Sequence, residues 1–227
     1  VARQVLRWGV ALLGLKITKG DQIVGPNVPS VLSGGTGSEN IVAGSDADSI
    51  NAGAGADIVD GGAGNDLIYY DAKDISISGG ADTDTLKFSS ATLLDLSDVM
   101  RPTVGATRPA LQSLEVFDLT NATTVVGSGV DTLIIDPVSL LAMGNANNNL
   151  KITGEAVDQV VFDNAYGNWT SGASPLGAGY TRYSLTYNST ALTVDVNSAV
   201  GSSPTISYVV NGTAAGETLA STSGVDV

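Results

Sequence analysis

The sequence contains no cysteine and no histidine in 227 residues. The first absence removes disulfide frameworks, zinc–thiolate sites and thiol nucleophiles. The second removes Ser-His-Asp catalysis, imidazole acid–base chemistry and nearly every zinc-enzyme motif. Bases are scarce as well: Lys and Arg total 10 against 23 Asp and Glu, a net charge of −13. Phosphate recognition needs a basic surface, so nucleic-acid binding is not expected. The apolar run Trp8–Leu15 falls far short of the roughly 20 residues of a membrane span. No G-x-S-x-G, P-loop or H-E-x-x-H motif occurs.

What the chain does have is glycine and aspartate, concentrated in one block. Residues 34–87 hold 10 of the acids and only two lysines, a local net of −8, which leaves −5 for the other 173 residues. With 43% hydrophobic residues the chain is no disordered tail, and a compact fold cannot crowd carboxylates this way without cations. Cut into nines from Gly34, the block reads GGTGSENIV, AGSDADSIN, AGAGADIVD, GGAGNDLIY, YDAKDISIS, GGADTDTLK. The eighth position is Ile41, Ile50, Val59, Ile68, Ile77 and Leu86, always apolar. The sixth is Glu39, Asp48, Asp57, Asp66, Ile75 and Asp84, acidic in all repeats but the fifth. A fixed period of this kind marks stacked repeats rather than a loop.

Glycine-rich turns reach backbone conformations closed to side chains with a Cβ. Such turns direct successive carbonyl oxygens toward a common point, where a nearby carboxylate can join them. Calcium takes about six to eight oxygen ligands and accepts backbone carbonyls. The last three positions of each repeat then form a short strand whose middle side chain faces a core.

This block resembles the RTX (repeat-in-toxin) family, whose repeat is G-G-x-G-x-D-x-U-x with U apolar. Gly61-Gly62-Ala63-Gly64-Asn65-Asp66-Leu67-Ile68-Tyr69 fits it at every defined position. The resemblance implies an all-β, right-handed parallel β-roll in which two repeats make one coil. Each repeat then stacks on the one 18 residues later. It implies calcium as the cofactor, held by Glu39, Asp48, Asp57, Asp66 and Asp84 with turn residues Gly35, Gly37, Gly44, Asp46, Gly53, Gly55, Gly62, Gly64, Gly80 and Asp82. Two sites are expected along Asp48, Asp66 and Asp84, and one between Glu39 and Asp57, because Asp57 would meet Ile75. Asp46 and Asp82 stand where the fourth glycine belongs and either add ligands or only occupy the turn.

Around the block, residues 1–15 read as a short helix able to cap a solenoid end, and Pro26 and Pro29 mark a linker, so 1–30 is set apart from a roll over 31–88. Residues 89–200 read as a β-rich segment packed on the roll. Its apolar runs are Leu114–Leu119, Thr132–Ile135, Leu150–Thr153 and Gln159–Phe162, with a helical turn or two at Pro137–Met143 and a hairpin of Tyr183–Tyr187 and Ala191–Val196 around Asn188–Thr190. This region resembles, more loosely, the segment that follows RTX blocks in large secreted bacterial proteins. Tyr166, Trp169, Tyr180, Tyr183 and Tyr187 either pack over the hairpin or form a sugar-stacking face. A carboxylate pair such as Glu115 and Asp118 could run glycosidic chemistry, with an ordinary place on the solvated surface as the simpler reading. In the Ser/Thr/Gly-rich tail, 201–227, Glu217, Leu219 and Asp226 repeat the register of Glu39, Ile41 and Asp48. The tail therefore either begins another repeat block of a longer array or completes sites with a neighbouring molecule.

The expected function is that of a calcium-dependent structural or adhesive module, not an enzyme, in a secreted bacterial surface protein such as an adhesin or a surface-layer (S-layer) lattice. The family implies type I export. The alternative is the C-terminal export and folding part of a secreted enzyme or toxin. Expected partners are calcium and neighbouring copies of the module, with surface glycans a further candidate; membrane insertion is not expected.

Overall fold

A repeat that supplies one apolar side chain every nine residues can bury only one side chain per strand, and strands of three residues suffice for that. The computed structural model describes residues 3–5, 22–89, 92–96, 110–120, 131–163 and 165–200. The first sheet runs in the order β1 (Arg3–Val5), β2 (Gln22–Val24), β4 (Asn40–Val42), β6 (Ile58–Asp60), β8 (Ser76–Ser78), β11 (Ala110–Gln112). The second contains β3 (Val31–Ser33), β5 (Ser49–Asn51), β7 (Leu67–Tyr69) and β9 (Thr85–Lys87). All these strands pair in parallel, with Ile41 opposite Val59 and Ile50 opposite Ile68. Parallel neighbours ordinarily need a crossover of a dozen or more residues. Here the crossover is a turn, a strand of the opposite sheet and a second turn, which is a parallel β-roll.

The middle residue of each strand from β2 to β9 is buried: Ile23, Leu32, Ile41, Ile50, Val59, Ile68, Ile77 and Leu86. Its flanking residues lie at or near the surface, as alternation along a strand requires. Each plug contributes about 1.5–3 kcal/mol of burial free energy, so the stack gains little from any one coil and depends on all of them.

Two expectations at the N-terminal end are corrected. Arg3–Val5 is not helical; its backbone pairs with Gln22–Val24 as an edge strand. The open edge of a parallel sheet offers unpaired N–H and C=O groups, and pairing with them overrides a weak helical pattern. The remainder of the expected helix lies outside the described residues, as does the tail register at Glu217, Leu219 and Asp226. The expected linker is a coil of the roll, for β2 pairs with β4 and β3 with β5. Gly25-Pro26-Asn27-Val28-Pro29-Ser30 fills the six turn positions between them. Proline is tolerated for a definable reason. In the next two repeats the second-position N–H donates to the sixth-position carboxylate, Gly35 to Glu39 and Gly44 to Asp48. In this turn Ser30 holds the sixth position, so Pro26 forgoes no such bond.

After Phe88 the second sheet continues in parallel through β12 (Val116–Asp118), β14 (Asn149–Thr153) and β18 (Thr190–Asn197), then antiparallel through β17 (Tyr180–Tyr187) and β16 (Thr170–Ala173). A third, parallel sheet holds β10 (Leu93–Asp95), β13 (Thr132–Ile135) and β15 (Gln159–Phe162). The four apolar runs thus become β12, β13, β14 and β15. Helix α1 (Pro137–Ala142) starts at Asp136, whose Oδ1 accepts the N–H groups of Val138 and Ser139. The hairpin turns on two residues, Asn188 and Ser189, both at positive φ as a two-residue turn between twisted strands requires.

One continuous core runs through roll and flank, from Ile23 to Val200. Phe88 joins the two, stacking near Tyr70 at 5.1 Å and edge-on to Phe117 at 6.0 Å. Trp169 and Tyr183 are buried against Phe162, at ring separations of 4.9 and 4.5 Å. The aromatic group therefore packs over the hairpin, and its two buried members cannot stack on a sugar. No helix among the described residues is long and apolar enough to cross a membrane.

Candidate metal centre

The sixth position of every repeat lies at the end of a turn, just ahead of a strand, and the parallel register stacks these positions into two columns. On the side closed by the turns into the second sheet, Ser30 N–H donates to Asp48 Oδ1 (2.7 Å), Asp48 N–H to Asp66 Oδ1 (2.8 Å) and Asp66 N–H to Asp84 Oδ1 (2.9 Å). On the other side, Glu39 N–H donates to Asp57 Oδ1 (2.6 Å). Asp48, Asp57, Asp66 and Asp84 thus each spend one oxygen on the coil before them.

The second oxygen is where the chemistry lies. Asp48 Oδ2 accepts Gly44 N–H and Glu39 Oε2 accepts Gly35 N–H. Glu39 Oε1, Asp57 Oδ2, Asp66 Oδ2, Asp74 Oδ2 and Asp84 Oδ2 are buried and have no hydrogen-bond partner. Glu39, Asp57, Asp66, Asp74 and Asp84 are each no more than 2% exposed. A buried anionic oxygen without a donor costs several kcal/mol unless a cation meets it. Among the described residues no lysine or arginine pairs with these carboxylates: Lys87 binds Asp118 and Arg182 binds Asp195.

The titration of the ladder reflects that strain. Burial, foremost, pushes the Asp66 carboxyl up to about 6, with the charges of Asp48 and Asp60 adding and the Asp48 N–H opposing. Burial likewise lifts Asp84 to about 7, helped by the charges of Asp66, Glu115 and Asp82. Asp74 is lifted to about 8 by burial and then by the charge of Asp57.

Asp74 is a correction. The nine-residue frame places Ile75 beneath Asp57, but the fifth turn, six residues long like the others, presents its carboxylate one position early, and the N–H groups of Ile75 and Ser76 both meet Asp57 O. Asp57 N–H points at Asp74 Oδ1 (3.3 Å), while Ile75 is pushed outward and is 56% exposed. The second column is therefore Glu39, Asp57, Asp74, with no apolar interruption. The clue was present in YDAKDISIS, where an aspartate stands one place early.

Backbone carbonyls complete the setting. A Cβ built on Gly61 would lie 2.3 Å from Gly79 O and 2.5 Å from Asp66 Oδ2. Glycine is obligatory at Gly61 because a carbonyl and a bare carboxylate oxygen converge there. The first-position glycines Gly34, Gly61 and Gly79 were not among the expected site residues, although a Cβ on them would stand 2.0, 2.3 and 2.1 Å from a carbonyl oxygen. Of the expected turn residues, Gly53, Gly62, Gly64 and Gly80 have positive φ between 90° and 109°. Gly35, Gly37 and Gly44 do not, and Gly55 at 158° is nearly extended. Asp82 takes φ +81° in glycine's place, and its Oδ2 accepts Gly64 N–H (3.2 Å), so it both occupies the turn and braces the coil before it. Asp46 sits half-buried in its own turn, its backbone against Gly64.

Among the described residues no three carboxylates converge on one point. Adjoining coils bring carboxylates in twos, and the remaining oxygens are carbonyls, a donor set that suits calcium's large oxygen-rich shell and gives soft metals no ligand.

The same ladder extends past the repeats. Glu115 Oε2 accepts Asp84 N–H (3.0 Å), and on the third sheet Thr92 N–H donates to Asp131 Oδ1 (2.6 Å) and Asp131 N–H to Asp158 Oδ1 (3.2 Å). One signal marks them all: an acid two residues ahead of a buried strand centre, as in Glu115/Phe117, Asp131/Leu133 and Asp158/Val160. Glu115 and Asp118, three apart on an extended chain, face opposite sides. Asp118 pairs instead with Lys87 Nζ (2.8 Å), whose charge and hydrogen bond, with the hydrogen bonds of Thr120, hold its carboxyl below the usual range despite burial. That geometry does not present the two acids to one substrate.

Residues 33–68 match the model of the RTX calcium-binding nonapeptide repeat, in four copies. No curated protein and no solved structure matched the chain.

Proposed function

We propose that this chain, whose residues 33–68 are RTX calcium-binding nonapeptide repeats, is a calcium-dependent structural module of a secreted bacterial surface protein, an adhesin or a surface-layer subunit. The observation that carries the reading is the set of buried carboxylate oxygens without hydrogen-bond partners, stacked coil on coil. Bound calcium would cancel the stacked charge. Glu39, Asp57, Asp66, Asp74 and Asp84 would each present to it an oxygen that has no hydrogen-bond partner, whereas both oxygens of Asp48 already accept N–H groups, from Ser30 and Gly44. Asp74 adds a pair with Asp57 to the three sites expected from the sequence.

Outside the cell, calcium is roughly millimolar, the range over which extracellular calcium modules are tuned. Without the ion the columns repel and the plugs alone hold each coil weakly. Metal binding and folding are then one free-energy event. RTX proteins typically leave the cell by type I secretion, which supports an extracellular setting for this chain and folding after export. The absence of histidine and cysteine, with the carboxylates of Glu115 and Asp118 turned apart, supports a structural rather than catalytic role.

Calcium titration followed by circular dichroism tests this. A large gain in β-signal and melting temperature on adding calcium, little from magnesium and reversal by chelator are expected. An equally ordered and equally stable chain in chelator would refute it.

A further inference from the structure

The chain leaves the repeats after Lys87 and returns to the same sheet 31 residues beyond Asp84, where β12 takes the place of the next coil, Phe117 opposite Leu86. No repeat is present there. The turn between β11 and β12 is only Ser113-Leu114-Glu115. Even so, it reproduces the oxygen arrangement of the coil before it. A Cβ on Gly79 would stand 2.1 Å from Ser113 O and 2.5 Å from Asp84 Oδ2, against 2.3 and 2.5 Å for the corresponding atoms at Gly61. Ser113 reaches this position at φ +49°. Glu115 lies in register with Asp84 and takes its N–H as Asp84 takes that of Asp66.

A carboxylate ladder alone would not make a site. On the third sheet both oxygens of Asp158 receive N–H groups, from Asp131 and Glu155, and nothing further is called for. Asp84 differs: it is fully buried, and its Oδ2 has no hydrogen-bond partner.

We propose that Asp84, Glu115 and the Ser113 carbonyl form a further divalent-cation site, filled by calcium, at the seam between the roll and the flanking segment. This rests on the reading that the repeats take calcium. The site lies outside the matched residues 33–68 and uses a ligand from a segment without nonapeptides. The opposite end of the same strand pair is already clamped by a cation, since Lys87 Nζ binds Asp118 and the carbonyl and hydroxyl of Thr120. Calcium at Glu115 would clamp the other end and make docking of the flank calcium-dependent.

Native mass spectrometry of the 227-residue chain in saturating calcium counts the ions. Glu115→Gln keeps an acceptor for the Asp84 N–H but loses the charge, and it is expected to bind one calcium fewer than the parent. An unchanged count in a parent that does bind calcium overturns the site. A parent that binds none overturns the underlying reading instead. Should Glu115→Gln not fold, calcium anomalous scattering from crystals of the parent decides. A peak between Asp84 and Glu115 supports the site; peaks between Asp48 and Asp66 with none at Glu115 overturn it.

Discussion

Asp66→Asn separates a calcium ladder from a hydrogen-bonded one. Asp66 is buried in the middle of its column; its Oδ1 accepts the Asp48 N–H and its Oδ2 has no partner. Asparagine keeps the accepting oxygen and the shape but removes the charge. In chelator the variant should be at least as stable as the parent, because a buried anion without a counter-charge has been deleted. In calcium the order should reverse. A site at free calcium 100 times its Kd adds about 2.7 kcal/mol. Asp66 borders two coil junctions, so its loss should cost about 3–5 kcal/mol. For a chain of this size that is a fall of roughly 6–20 °C in melting temperature. Asp60→Asn, on an exposed side chain, should stay within about 0.5 kcal/mol in both media. Scanning calorimetry of the three proteins with and without calcium gives the answer. Equal loss in both media, or equal effects of the two substitutions, would refute the reasoning.

The raised carboxyls make the calcium-free fold acid-favoured. Asp66, Asp84 and Asp74 bind protons more tightly folded, at about 6, 7 and 8, than at the ordinary 3.8. Their contribution is therefore fully present below pH about 4 and lost as pH rises toward 8. Denaturant melts in chelator should show stability falling across that window, with the slope flattened by calcium. Lys87→Met should destabilise the seam by about 1–3 kcal/mol with or without calcium, since it leaves Asp118 unpaired; a loss confined to one medium would contradict the clamp.

The roll was legible because its two constraints repeat in sequence: an apolar eighth position that plugs the core and an acidic sixth position that stacks. What escaped were places where geometry kept the pattern while spacing did not. Asp74 reaches the column from one position early in a turn of ordinary length, and Glu115 through a 31-residue excursion that no nine-residue frame spans. Gly25–Ser30 looked like a linker because its prolines hide a turn with no carboxylate to satisfy. Arg3–Val5 became a strand because a sheet edge was available, which no local pattern records. The third sheet follows from apolar runs that were recognised, but its parallel pairing depends on contacts distant in sequence.

The central claim is that calcium uptake and folding of the roll are one event. Its direct test is the unfolding free energy measured by denaturant at a series of free calcium concentrations. The free energy should rise with the logarithm of calcium, with a slope that corresponds to more than one ion taken up per chain folded. A slope of zero across the millimolar range, with the β-signal intact, would contradict it.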